Sequence, residues 1–415
     1  MAAKRRRLLI GGALVLALVG TGCSSGSSSG GATTTSAPGA AALGPVNRAT
    51  GAPLTIGYIS AGQAQTIDNT NEITIAQATV KYVNEHLGGV AGRPLVLLTC
   101  QDHLTPTGAT DCANQMLAAK VPVVLGSSPA NPAPILKLLE PAGVPFFTQQ
   151  GADTNQLYSK DSYLMGNPLV LLAAPIKVAK DTGVKKVAMV YVDVPAAAQL
   201  KVIAVPMYQK AGLDLLSTAV PLGSPDLTPQ VQAALSGGAQ QFLIVGDTSL
   251  CVNTLKALKT LGFNGRVASN LNCLTSEAAK AIPGGFTGLD VPGTYINDGK
   301  NPDSALLRAI AATYAPGTPT DETGQAVFGF MAVTSFDRAM KDLTAANATA
   351  AGMTAAFATM APQPMPLLPG QTFQCNRLQA KLTPSVCSNG GAIVTVDASG
   401  KTTKSQTFSA APFQA

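Results

Sequence analysis

Short, unbroken apolar runs that alternate with amphipathic stretches constrain this chain more than any other feature. Leu54-Thr55-Ile56-Gly57-Tyr58-Ile59 is the first, and runs at 95–98, 121–125, 144–147, 187–192 and 242–245 come after it. A strand that alternates apolar and polar residues has one wet face. A strand without alternation is buried on both, as in parallel sheets covered by helices. Between the first two runs, Ile73, Ala76, Val80, Val83 and Leu87 recur at helical spacing, with Asp68, Asn69 and Thr70 before them as caps. Strand followed by helix, repeated, predicts an open doubly wound α/β fold. A length of 415 residues, 46% of them hydrophobic, predicts two such lobes and additional non-core segments.

The formal charge of +6 comes largely from Lys4, Arg5, Arg6 and Arg7. Without those four, 24 basic residues stand against 22 acidic ones, a net of +2, and nothing in that balance points to nucleic acid. The basic cluster is followed by an apolar run at 8–19 and then Gly20-Thr21-Gly22-Cys23, the pattern of a secretory signal over 1–22. Its apolar run is too short to span a bilayer, which takes about 20 residues. The small residues before Cys23 resemble the lipobox of bacterial lipoproteins, in which that cysteine becomes the acylated N-terminus. The box usually has Leu three places earlier, where this chain has Gly20. Ser, Gly, Thr, Ala and Pro dominate residues 24–50, too little apolar surface to fold, so 23–53 is expected to be a lipid-anchored flexible tether.

Six further cysteines, Cys100, Cys112, Cys251, Cys273, Cys375 and Cys387, fall into three close pairs. An oxidising compartment would let them bond, and although several connectivities are open, the spacing favours nearest neighbours. Each loop would add about 3 kcal/mol in the chain-entropy account. There is no C-x-x-C, and His86 and His103 are the only histidines, so no metal site is expected.

Two segments look like one unit used twice. Val124-Leu125-Gly126-Ser127-Ser128 runs into a helical stretch at 131–139, and Ile244-Val245-Gly246-Asp247-Thr248-Ser249 into one at 252–261. Ligands of such sheets sit at the carboxyl ends of the strands, where helix N-termini present N–H groups. Ordinary turn chemistry gives the same string.

Asn84-Glu85-His86-Leu87-Gly88-Gly89-Val90-Ala91-Gly92-Arg93-Pro94-Leu95, with Cys100-Gln101-Asp102 after it, resembles a helix-turn-strand segment of the leucine/isoleucine/valine-binding protein family. The string at 124–128 and Gly143-Val144-Pro145-Phe146-Phe147-Thr148 are similar to further segments of that family. The resemblance runs through most of 54–345. It implies a type I periplasmic-binding fold, two Rossmann-like lobes joined by a three-strand hinge. The implied division is 54–166 plus 298–362 for the N-terminal lobe and 167–297 plus 363–415 for the C-terminal lobe. It further implies a monomeric solute-binding lipoprotein that serves an ABC permease and ATPase, uses no cofactor and is not an enzyme. A ligand sensor without a transporter and an exported hydrolase are the alternative classes.

The resemblance assigns a hydroxyl-rich loop to the ligand carboxylate, a role that Ser127 and Ser128 fit, with Ser60 on the loop after the first strand. The next loop, where the family has a threonine, reads Thr148-Gln149-Gln150-Gly151-Ala152 here, which makes Gln149, Gln150 and Gly151 candidates. Asp193 stands in a loop that lacks the family's aromatic, and Asn270 in the region of its ammonium-binding acid, where no carboxylate occurs. A buried ammonium without a partner carries a penalty of several kcal/mol. A standard α-amino acid therefore requires Asp193 or Asp247 as substitute, and otherwise the ligand is uncharged or purely a carboxylate. Helix capping is the plainer role for both aspartates. The glycines at 88, 89 and 92 form turns, since the string follows a helix and is not G-x-G-x-x-G. There is no G-x-S-x-G elbow, and His86 reads as a solvated helix-face residue.

Overall fold

The computed structural model describes residues 40–64, 67–151, 153–321, 325–380 and 383–414. The signal segment and Cys23 lie outside the described residues. Each of the six apolar runs contains a strand. Strands β1 (Leu54–Ser60), β2 (Leu95–Gln101), β3 (Val124–Gly126), β4 (Phe146–Thr148) and β5 (Ser162–Leu164) form a parallel sheet in the order β2-β1-β3-β4-β5. Strands β3, β4 and β5 are buried along their whole length. Neighbouring residues serve opposite faces: Ile56, Tyr58 and Phe147 enter one core, Ile59, Val124 and Phe146 another. That two-sided burial is why the runs do not alternate.

The second sheet takes β6 (Lys186–Val192), β7 (Asp214–Val220), β8 (Gln241–Val245), β9 (Arg266–Ser269) and β10 (Leu289–Gly293), all parallel. A two-strand ribbon, β11 (Gln363–Pro364) and β12 (Thr372–Phe373), precedes β13 (Gly390–Val396) and β14 (Thr402–Ser409). The last two add antiparallel, giving the order β7-β6-β8-β9-β10-β13-β14. The chain thus passes between the lobes after β5, after β10 and before β13, which is the expected type I arrangement of two lobes.

Helices Thr70–Tyr82 and Ala326–Ala339 cross over the first core. At Gly329 a Cβ would lie 2.1 Å from the Glu72 carbonyl oxygen and 2.9 Å from the Ala76 nitrogen. Only glycine lets two helix backbones meet this closely. All three cysteine pairs are bonded as nearest neighbours, Cys100–Cys112, Cys251–Cys273 and Cys375–Cys387.

Two stretches depart from the sequence reading. Residues 40–53, expected within the tether, dock on the first lobe. The N–H groups of Asn47 and Ala49 donate to the carbonyls of Glu85 and Asn84, both at 2.8 Å. Those carbonyls are open because the helix ends in a π turn, Val83–Leu87. His86 lies in that turn, its Nδ1 3.2 Å from the Gly44 carbonyl oxygen and its Nε2 3.1 Å from the Tyr314 hydroxyl, so it holds the docked segment. The segment 363–387, assigned to the C-terminal lobe, puts Met365, Leu367, Leu368 and Phe373 into the first core instead. Arg377 fastens it: the guanidinium donates to the carbonyls of Ser159 at 3.1 Å and Ser162 at 2.6 Å, and lies 4.1 Å from the Tyr163 ring centre. A guanidinium over an aromatic face adds a cation–π contact to those bonds.

Candidate functional site

A cleft of about 480 Å³ opens where the carboxyl ends of both sheets meet. From the first lobe it receives Ser128 after β3 and Gln150 and Gly151 after β4. From the second it receives Asn270 and Asn272 after β9, and Gly293 and Thr294 where the chain leaves β10. This is the position at which open α/β sheets bind ligands.

Adjacent residues in each first-lobe loop turn opposite ways, and this divides the candidates. Ser128 is exposed to the cleft, whereas Ser127 is buried and donates to Glu72 Oε2 at 2.7 Å. Gln150 borders the cleft, whereas Gln149 is buried with neither side-chain polar atom bonded. Ser60 is buried as well, its hydroxyl accepting from the Gly62 N–H at 3.2 Å. Asn270 lines the cleft while its Nδ2 donates to the Gly246 carbonyl at 2.9 Å, tying the β8 and β9 loops together. Asp247 is outside the cleft lining and caps the helix Thr248–Thr260, accepting from the Leu250 N–H at 2.8 Å. Asp193 is exposed and also outside the lining; its backbone N–H donates to the Val220 carbonyl, prolonging the β6–β7 pairing.

Sequence reasoning missed Glu72. It sits on the inner face of the helix Thr70–Tyr82, fully buried, directly beneath the Ser127 loop. The Tyr58 hydroxyl donates to its Oε1 at 2.8 Å. Burial pushes its carboxyl from 4.5 up to about 7, although the bonds from Ser127, Tyr58 and Ser60 pull the other way, and Asp102 close by adds to the rise. Asp102 is itself raised, by burial first. One sequence signal for Glu72 existed: an acid one place before the apolar stripe that begins at Ile73.

The cleft has little charge. Among its lining residues Asp153 alone is ionisable, and its Oδ1 accepts the N–H groups of Asn155 at 2.8 Å and Gln156 at 3.3 Å. Nor does the first-lobe turn form a rich anion nest. The helix after it, Pro132–Leu139, carries proline at 132 and 134, and Pro129 stands just before it, so three N–H groups are missing there. What remains is hydroxyl and amide chemistry from Ser128, Gln150, Asn272 and Thr294.

Two α/β lobes joined by three crossings thus face one another across a polar cleft. The chain belongs to the periplasmic binding protein family, whose sequence profile matches residues 53–390. Among solved structures it is similar to a branched-chain amino acid ABC transporter protein from Rhodospirillum rubrum. That match has a TM-score of 0.69 at 15% identity and covers 83% of this chain and 98% of that one. It is similar to a branched-chain amino acid transporter substrate binding protein from Streptococcus pneumoniae in complex with isoleucine (TM-score 0.64, 13% identity, 86% and 99% covered). A solute binding protein from R. palustris in complex with 4-hydroxybenzoate also matches (TM-score 0.63, 16% identity, 86% and 97% covered). Identities this low speak for the fold. No curated protein matches the chain in sequence.

Proposed function

We propose that the chain is the extracytoplasmic receptor of an ABC importer, and that it captures a small, uncharged polar solute between its lobes. The observation that carries the ligand class is the chemistry of the cleft. Ser128 and Gln150 from one lobe share it with Asn270 and Asn272 from the other, and Asp153, its one ionisable lining residue, is already engaged in capping. A carboxylate would find no cation there, and an α-ammonium only Asp153, whose Oδ1 already caps a helix, so either is poorly matched to the cleft. An amide or hydroxyl would pair with Gln150 and Ser128 without that penalty. Each lobe contributes part of the shell, so the ligand favours the closed state by the contacts that only closure completes. Ligand-dependent thermal stabilisation of the purified protein tests this, with primary amides and polyols set against carboxylates and α-amino acids. Amides or polyols should stabilise and the charged panels should not; stabilisation by α-amino acids alone would sink the uncharged reading.

The N-terminus accounts for anchoring. A monomer acylated at Cys23 would remain on the outer face of the cytoplasmic membrane, within reach of a permease and its ATPase. Mass spectrometry of the native membrane-bound protein should find the mature chain beginning at acylated Cys23; an unmodified start elsewhere in 20–30 would rule this out.

A further inference from the structure

Behind the cleft lies a second cavity of about 90 Å³, between the end of β10 and the β13–β14 hairpin. It shares Gln150, Leu271, Pro292, Gly293 and Thr294 with the cleft, so the two spaces adjoin. Its own wall is mainly apolar: Leu274, Val291, Ile296, Val394 and Val396 line it together with Tyr295, Asn297 and Thr402, and no charged side chain does. Val291, Ile296 and Val396 are themselves almost fully buried, so that part of the wall belongs to packed core, while Leu274 and Val394 are half-buried.

We propose that this cavity is the seat for a short alkyl arm of the solute whose polar head occupies the cleft. The inference rests on the reading of the cleft given above and extends it to the shape of the ligand. Size excludes an independent occupant. A dry cavity of about 150 Å³ lined by apolar side chains admits benzene. One of 90 Å³ takes a group of roughly three or four carbons, too small to be recognised alone. Polarity excludes a charged arm, because there is no counter-ion among the lining residues. Gln150 stands at the junction, bordering both spaces, with an amide that can both donate and accept. A ligand with its amide or hydroxyl head on Gln150 and Ser128 would therefore direct its chain towards Val291 and Val396. The two spaces together select short-chain aliphatic amides or alcohols over hydrophilic solutes of equal length.

Calorimetry of the whole protein with straight-chain primary amides, from acetamide to hexanamide, tests the proposal. Each methylene that enters the cavity should tighten binding about fourfold. The gain should continue to an arm of roughly three or four carbons and then stop, because the cavity is full. Val396→Phe, which fills the cavity, should end the gain at shorter chains. Val396→Ala, which removes bulk instead of adding it, should carry the gain to longer chains and guards against a Phe variant that fails to fold. Amides that bind with affinity independent of chain length, or a chain-length profile that neither substitution moves, would overturn the alkyl seat while leaving the polar cleft standing. Absence of binding for every amide and for the straight-chain alcohols of equal length would overturn the uncharged-head reading, and the alkyl seat with it.

Discussion

Glu72→Gln should uncouple the stability of this protein from pH across the neutral range. The carboxyl is fully buried and raised from 4.5 to about 7, chiefly by desolvation. A shift of that size corresponds to roughly 3 kcal/mol. The folded value lies above the unfolded one, so the stabilising share is complete below about pH 4.5 and is lost as pH rises through about 7. The neutral acid and the amide are close to equivalent in this pocket. Each has an accepting oxygen at one end and a donor at the other (one O–H in the acid, two N–H in the amide), so one of the two hydroxyls, Tyr58 or Ser127, must turn round in both cases. Wild type and variant should therefore be about equally stable at pH 4.5. By pH 8 the variant should lead by roughly 3 kcal/mol, since it has no charge to bury. Urea denaturation at a series of pH values provides the measurement, monitored by tyrosine fluorescence because the chain has eight tyrosines and no tryptophan. The raised carboxyl of Asp337 also titrates on unfolding, but it is common to both proteins and cancels in the difference. Parallel stability curves would refute the reasoning: Glu72 would then ionise in the folded protein as easily as in the unfolded chain.

Other substitutions separate the roles of neighbouring residues. Ser128→Leu should weaken ligand binding more than tenfold by calorimetry with the fold intact, because the side chain faces the cleft and supports no packing. Wild-type affinity in that protein would place the ligand elsewhere. Gln149→Met should stabilise by about 2 kcal/mol in the same urea assay, since two buried, unbonded polar atoms give way to a side chain of similar length. Lost ligand affinity in that variant would show instead that the amide reaches the ligand. Gly329→Ala should destabilise by about 3 kcal/mol, as its methyl would meet the Glu72 carbonyl oxygen at 2.1 Å and force the two helices apart. Full stability in that protein would mean that the crossing has room to relax.

The central parallel strands were legible because burial on both faces removes every reason for a polar residue, and β1, β3, β4, β6 and β8 are such strands. The rim strands of the second sheet escaped. β7 mixes exposed and half-buried positions and β14 reads Thr402-Thr-Lys-Ser-Gln-Thr-Phe-Ser, because an edge strand has one partner and a wet side. The disulfide pairing was legible for a local reason: bonds that close short loops need partners near in sequence. The position of Ser127 and Ser128 at a strand end came from the strand-turn-helix pattern, and that of Gln149 and Gln150 from the family resemblance. Which member of each pair faces the cleft did not, because that depends on where Glu72 and the covering helix stand. Ser128, Asn272 and Thr294 come together from three distant segments, and the docking of 363–387 depends on Arg377 finding carbonyls more than 200 residues away. Periodicity reports how each segment meets its own surroundings, apolar or wet. It says nothing of which distant segment supplies those surroundings, and the chemistry of this cleft is decided by that pairing.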